Sequence, residues 1–397
     1  MESILPVILS LVVGSWSDIH GRKLPMMLSA FGMAVSYLFL LVLTYLPNFC
    51  AQNPWILLLP SIPIALGGNF PVFMMSTMSY LGDLLIIKNA STAEKLYRYL
   101  IGEACFLFGG PIGLYFGGFL FHYYGHWMVF LAAAAVELIV VMYCYIRIRN
   151  DSVELASGNL YAHLPEEKER KAKTPQSFCD QTLLFVKKMF SASFRERQGR
   201  LRSILLLLLF CQALATAVYC LDGAIGYIYV KNKFNWSIEQ FTKWKASYMS
   251  VVSIGAVLIA PLLSNCFSEP VQATLGCLMT GIFYFLVGIV EENDTWLIWV
   301  AMIFPILALV PTSVCRAVVT RIVCAEELGS VFGLISAMAG LMPMLMSNLA
   351  SSIFKYAVFH NINTGIVYFI ASTLFATGFV LCLVADVLWW TNKHLIQ

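Results

Sequence analysis

Several ionisable side chains fall inside long apolar runs, where a charge is costly unless it faces a cavity or a partner. Glu103 stands seven residues before Gly110 and fourteen before Gly117, so on a helix all three lie within about 40° of one another. A glycine face marks close helix packing and turns Glu103 toward protein or cavity, where a carboxyl can bind and release a proton. The competing reading is a carboxylate that snorkels to the membrane edge. Arg316 follows the helix-weakening Pro305 and Pro311; its guanidinium suits a substrate carboxylate, or a salt bridge with Glu326 or Glu327. Asp222 has Tyr219 and Gly226 on its helical face and Tyr227 nearby, and can accept a hydrogen bond from a substrate or from a tyrosine. Glu137, in "AAAAVELIVV", is either a substrate-side carboxylate or a buried acid kept neutral by its surroundings.

The elements that must position these groups are membrane helices. Of 397 residues, 59% are hydrophobic and 12% charged, against about 25% charged in a soluble domain. Apolar stretches of spanning length recur at 24–46, 55–81, 98–121, 127–147, 203–230, 244–265, 271–290, 295–315, 330–354 and 364–390. A shorter run at 3–15 lacks the basic region and cleavage site of a signal peptide. It reads as a truncated helix whose beginning, with a further helix, is missing from this chain. The polar stretch 148–202 is a linker between an N-terminal bundle, 1–147, of five spans and a C-terminal bundle, 203–397, of six.

If the loop 15–23 is cytoplasmic, all but five of the 25 Lys and Arg residues lie inside; Lys231, Lys233, Lys243, Lys245 and Lys355 lie outside. The linker and C-terminus are then cytoplasmic. Trp55, Trp127, Trp244, Trp296, Trp299, Trp389 and Trp390 fall at span ends, where amphipathic rings suit the interface. Of the Asn-x-Ser/Thr sequences, Asn89 falls inside and Asn293 sits in a tight loop, leaving Asn235 as the expected glycan site. "DQTLL" at 180–184 has the form of an acidic dileucine sorting signal, or of an amphipathic helix on the membrane.

The stretch "GSWSDIHGRK" at 14–23 carries Gly14, Asp18, Gly21, Arg22 and Lys23 in the pattern G-x-x-x-D-x-x-G-R-K. Glycine at 14 permits close helix approach, and Asp18 can pair with a cation and favour the N-terminus of the helix that follows. The spacing resembles the signature loop of the major facilitator superfamily. "SYLGD", "GEACF", "CLDGAIGYIY" and "RAVVTRIVCAEELGSVFGLISA" extend the resemblance to the proton-coupled folate transporter family, solute carrier family 46.

The resemblance implies an all-α integral membrane fold of two helical bundles, here with 11 of the usual 12 helices. It ties Glu103 to proton coupling and Arg316 to substrate and proton binding. It gives Asp83 a packing or gating role, and makes Arg321 with Glu326 and Glu327 the second-half counterpart of the gate loop. The family's histidine five positions before Asp222 is replaced by Ala217, and its outside-loop disulfide is not available.

The expected function is therefore secondary active transport: proton-coupled symport of folate-like organic anions by alternating access. The alternatives are a carrier of other organic anions, such as cyclic dinucleotides or peptidoglycan fragments, or a truncated membrane protein that does not transport. Expected partners are the small-molecule anion and the lipid bilayer, with no nucleic acid. No cofactor is expected, the proton being the coupling ion. No phosphate-binding loop occurs and the six histidines lie in loops or at span ends, which argues against ATP-driven transport and against an enzyme. The cysteines show no metal-ligand spacing and read as small core hydrophobes, so no metal site is expected. The plasma membrane is the expected residence, the lysosomal membrane the alternative.

Overall fold

The computed structural model describes residues 4–148, 186–187, 189–195, 197, 199–264, 266–324 and 327–391. Among them every regular element is a helix. We designate α1 (Ile4–His20), α2 (Lys23–Thr44), α3 (Asn69–Ile87), α4 (Thr92–Tyr124), α5 (His126–Arg147), α6 (Leu201–Phe234), α7 (Ile238–Ile254), α8 (Glu269–Ile289), α9 (Val310–Ile322), α10 (Leu328–Phe359) and α11 (Ile366–Thr391). Among the described residues ten segments are long and apolar enough to cross a membrane, matching the ten expected spans one for one; the apolar part of α1, Pro6–Asp18, is shorter. The chain is thus a multi-pass integral membrane protein. The "DQTLL" sequence and Glu326 lie outside the described residues.

Local sequence explains where helices break. Before α9, Ala301–Leu307 is wound as a 3-10 helix, and Pro305 leaves helical geometry with ψ 15°. Proline there removes a backbone donor and crowds the preceding turn, so Val310 opens a fresh helix that aims Thr312 and Arg316 independently of the segment before it. Asn235 closes α6 in the left-handed conformation at φ +53°. Two residues on, Ser237 and Gln240 form a reciprocal capping box at the start of α7, at 3.3 and 2.9 Å.

The chain packs as two compact units, neither continuous in sequence. The first comprises Met1–Ala90, Gly117–Arg195 and Val323–Gly340, and the second Ser91–Phe116, Glu196–Ile322 and Leu341–Gln397. In the first, α2 packs on α5 and α3, and α1 on α3; in the second, α8 and α6 pack on α11. One expected interface anchor is corrected. Trp244 is 1% exposed, because α7 starts six residues before it and turns the Trp244, Tyr248 and Val252 face into the protein.

Candidate functional site

In the first unit, α1 and α10 meet through glycines. A Cβ on Gly14 would lie 2.6 Å from the Gly329 carbonyl oxygen and 2.9 Å from the Gly333 Cα. Gly21 follows α1 at φ +94°, a conformation that glycine adopts without strain, and this turn folds Arg22 back over the preceding helix. The Arg22 guanidinium donates to Asp18 Oδ1 at 2.7 Å, to Ser17 Oγ at 2.6 Å and to Asp83 Oδ2 at 3.0 Å. All four side chains are buried, so Asp83 shares one buried cluster with Ser17, Asp18 and Arg22.

Asp18 also accepts hydrogen bonds from the Gly329 N–H at 2.7 Å, the Ser330 N–H at 2.9 Å and the Ser330 hydroxyl at 2.7 Å. The expectation that it serves the helix following it in sequence is therefore corrected. Asp18 caps α10, whose opening amides have no partner within their own helix, while α2 starts without a side-chain cap. Lys23 stands apart from this cluster: its Nζ donates to the Tyr145 carbonyl at 2.7 Å and lies 5.0 Å from the centre of that ring.

In the second unit, Glu103 of α4 and Arg316 of α9 form one buried ion pair. Thr312, one turn before Arg316 on the same face, donates its hydroxyl to the other carboxylate oxygen. Two residues singled out for separate tasks are therefore partners. Of the two alternative partners for Arg316, Glu327 meets Arg195 at 3.4 Å instead, and Glu326 lies outside the described residues. Glu103 faces protein, 5% exposed. The glycine face predicted for it is tight only at Gly110, where a Cβ would meet the Met249 sulfur at 2.9 Å; at Gly117 nothing lies within 4 Å.

A second pair, with a buried carboxylate and a part-buried ammonium, lies on α6 and α7. Asp222 accepts from the Lys245 ammonium and, at 3.0 Å, from the Tyr368 hydroxyl. Of its two expected donors, the tyrosine is present, but it comes from α11, whereas Tyr219 is 49% exposed. Tyr227 packs on Phe241, ring centres 5.4 Å apart, and makes no contact with Asp222 among the described interactions. Lys245, which the charge distribution groups with the outside loop, instead reaches Asp222 from α7. Its spacing from Trp244 and Tyr248 placed it on a helix with an inward face. Glu137 is half-buried, with Tyr37 as its titratable neighbour.

Arg321 pairs with Glu269 at the start of α8, and its guanidinium lies 5.6 Å from the Trp389 ring centre. Among the described residues, one group could hold a metal ion: Cys211, Cys277 and Cys382 bring three buried thiols together from α6, α8 and α11. Cys211 Sγ lies 3.7 Å from Cys277 Sγ and 3.5 Å from Cys382 Sγ. No spacing in the chain foretells this group, since each cysteine comes from a different helix.

Residues 2–264 match the Major Facilitator Superfamily. A Drosophila melanogaster protein described as a probable peptidoglycan muropeptide transporter, SLC46, is 22% identical over 96% of this chain and 70% of its own length. The Mus musculus lysosomal proton-coupled steroid conjugate and bile acid symporter SLC46A3 is 24% identical over 90% and 73%. Among solved structures, the human organic anion transporter MFSD10 matches with a TM-score of 0.70 at 18% identity, over 96% of this chain and 82% of that one. The proton:xylose symporter XylE matches with a TM-score of 0.68 at 15% identity, over 98% and 84%. At these identities the structural likeness is one of fold.

Proposed function

This chain belongs to the Major Facilitator Superfamily and, within it, to solute carrier family 46, and on that premise we propose that it is a proton-coupled carrier of organic anions. The observation that carries the proposal is the Glu103–Arg316 pair. While Glu103 is ionised it occupies the guanidinium that an anionic substrate would need. Protonating Glu103 removes its charge and releases Arg316, whose fork then holds a substrate carboxylate or phosphate. Proton and anion thus load together, and departure of the anion returns the guanidinium to Glu103. Asp222 and Lys245 offer a second place for the same exchange, with the Lys245 ammonium as the anion's partner.

Alternating access in this reading is a rocking of residues 1–147 against 203–397. The bonds from Asp18 to the start of α10 act as a latch, joining α1 to α10. The substrate class takes in folate-like anions, and the named cargoes of the relatives extend it to muropeptides and steroid conjugates. Asn235 carries a glycan on the outer face, and the linker and C-terminus lie in the cytoplasm.

Uptake of labelled folate, muropeptide and steroid sulfate into proteoliposomes, at mildly acidic and at neutral pH, tests this. Uptake of at least one anion is expected to rise on acidification, and the rise to vanish in Glu103→Gln. Equal uptake at both pH values, unchanged by that substitution, would show that Glu103 has no part in coupling.

A further inference from the structure

The ends of four helices in the second unit line a half-open cleft of about 190 Å³. Leu96 belongs to the start of α4, Glu269 and Gln272 to the first turn of α8, Arg321 to the last turn of α9 and Trp389 to the last turn of α11, with Phe267 at the rim. Helix ends bearing a tryptophan mark the level where the hydrocarbon meets the head groups. Its volume is below the 300–1,000 Å³ or so of pockets for drug-sized ligands. It corresponds to the liquid volume of about six waters, and so suits a small polar group and not a bulky transported anion.

The polar atoms lining it are unevenly used. Glu269 Oε1 takes the Arg321 ion pair, while Glu269 Oε2, Gln272 Oε1 and Arg321 Nε are buried with no hydrogen-bond partner among the described residues. The Gln272 amide is oriented by its Nε2, which donates to the Phe267 carbonyl at 3.0 Å, leaving the oxygen to receive a donor. Glu269 is 8% exposed, so solvent does not satisfy its second oxygen freely. Lys95 lies within electrostatic reach of both Arg321 and Glu269, giving the three charged groups a net charge of +1. The cleft therefore presents two acceptors beside one donor in a cationic setting, the complement of a ligand that joins an ammonium to an anionic oxygen.

The geometry points to a binding site for a phosphoethanolamine-type zwitterion: the phosphate oxygen accepts from Arg321 Nε, and the primary ammonium donates to Glu269 Oε2 and Gln272 Oε1. A primary ammonium has three donors; a trimethylammonium has none and cannot replace them. The group can come from a bilayer phospholipid or from a soluble phosphoethanolamine.

The test is native mass spectrometry of the full-length protein in detergent with equal amounts of phosphatidylethanolamine and phosphatidylcholine of identical acyl chains. Wild type is expected to retain the ethanolamine lipid roughly tenfold over the choline lipid, the discrimination that lost charge-assisted hydrogen bonds produce. Glu269→Gln and Gln272→Leu are each expected to reduce that ratio to within about twofold; the second keeps the Glu269–Arg321 pair and so tests the site without disturbing the fold. Free O-phosphoethanolamine that displaces the lipid from wild type, or binds in its place, supports the same site with a soluble source. Equal retention of the two lipids with no binding of free phosphoethanolamine, or a preference that survives both substitutions, would overturn the assignment.

Discussion

Glu103 and Arg316 are 213 residues apart in the chain and neutralise each other between α4 and α9, with Thr312 holding the carboxylate's second oxygen. A carboxylate and a guanidinium this deeply buried each need the other, since either alone is an uncompensated charge in a low-dielectric interior. In the proposed mechanism this mutual dependence is what a proton would exploit: a neutral carboxyl loses its hold on the cation, and the cation then requires another anion.

Removing one partner should therefore be worse than removing both. Arg316→Met is expected to destabilise the detergent-solubilised protein by roughly 3–5 kcal/mol at neutral pH, and the double variant with Glu103→Gln by clearly less. Because Glu103 alone is relieved by binding a proton, the melting temperature of Arg316→Met should recover as pH falls. Thermal unfolding of wild type and the three variants across pH measures both effects.

Asp18 ties α1 to α10 through three accepted hydrogen bonds and accepts a fourth from Arg22. Asp18→Asn leaves Asp83 as the one carboxylate bonded to Arg22 and turns one of the acceptor oxygens into a donor facing N–H groups. It should speed labelling of cysteines introduced at the start of α10. Gly14→Ala forces a methyl within 2.6 Å of the Gly329 oxygen and is expected to cost about 1–3 kcal/mol by overpacking. Thermal unfolding of Gly14→Ala and labelling rates of Asp18→Asn check these separately.

Asp222 and Lys245 should be coupled. In a double-mutant cycle of Asp222→Asn and Lys245→Met, the interaction energy is expected between about 0.5 and 3 kcal/mol. Tyr368→Phe removes one hydrogen bond to a charged acceptor, and about 1.5–3 kcal/mol of stability with it. A coupling energy indistinguishable from zero would show that the pair carries no stability.

Asn235 lies at the left-handed turn that ends α6, in the loop assigned to the outer face. Expression in a glycosylating host should give a protein whose mass falls on endoglycosidase treatment, and Asn235→Gln should abolish that shift. A shift that persists in Asn235→Gln would move the glycan to another asparagine.

The helices were legible in the sequence because the bilayer imposes a length and a composition on every crossing segment. Ten apolar runs accordingly became ten helices, with only their ends moved by a few residues. The G-x-x-x-D-x-x-G-R-K stretch was legible for a similar reason, since Gly14 and Gly21 are demanded by close approach and by a positive φ. Partners were not legible. That Asp18 serves α10, that Glu103 answers Arg316, that Lys245 reaches Asp222 and that three cysteines converge are contacts between residues far apart in the chain, and periodicity within one helix says which face is buried but not what it meets. Only the tertiary packing decided those pairings, because a buried charge must find its counter-charge wherever the fold places one.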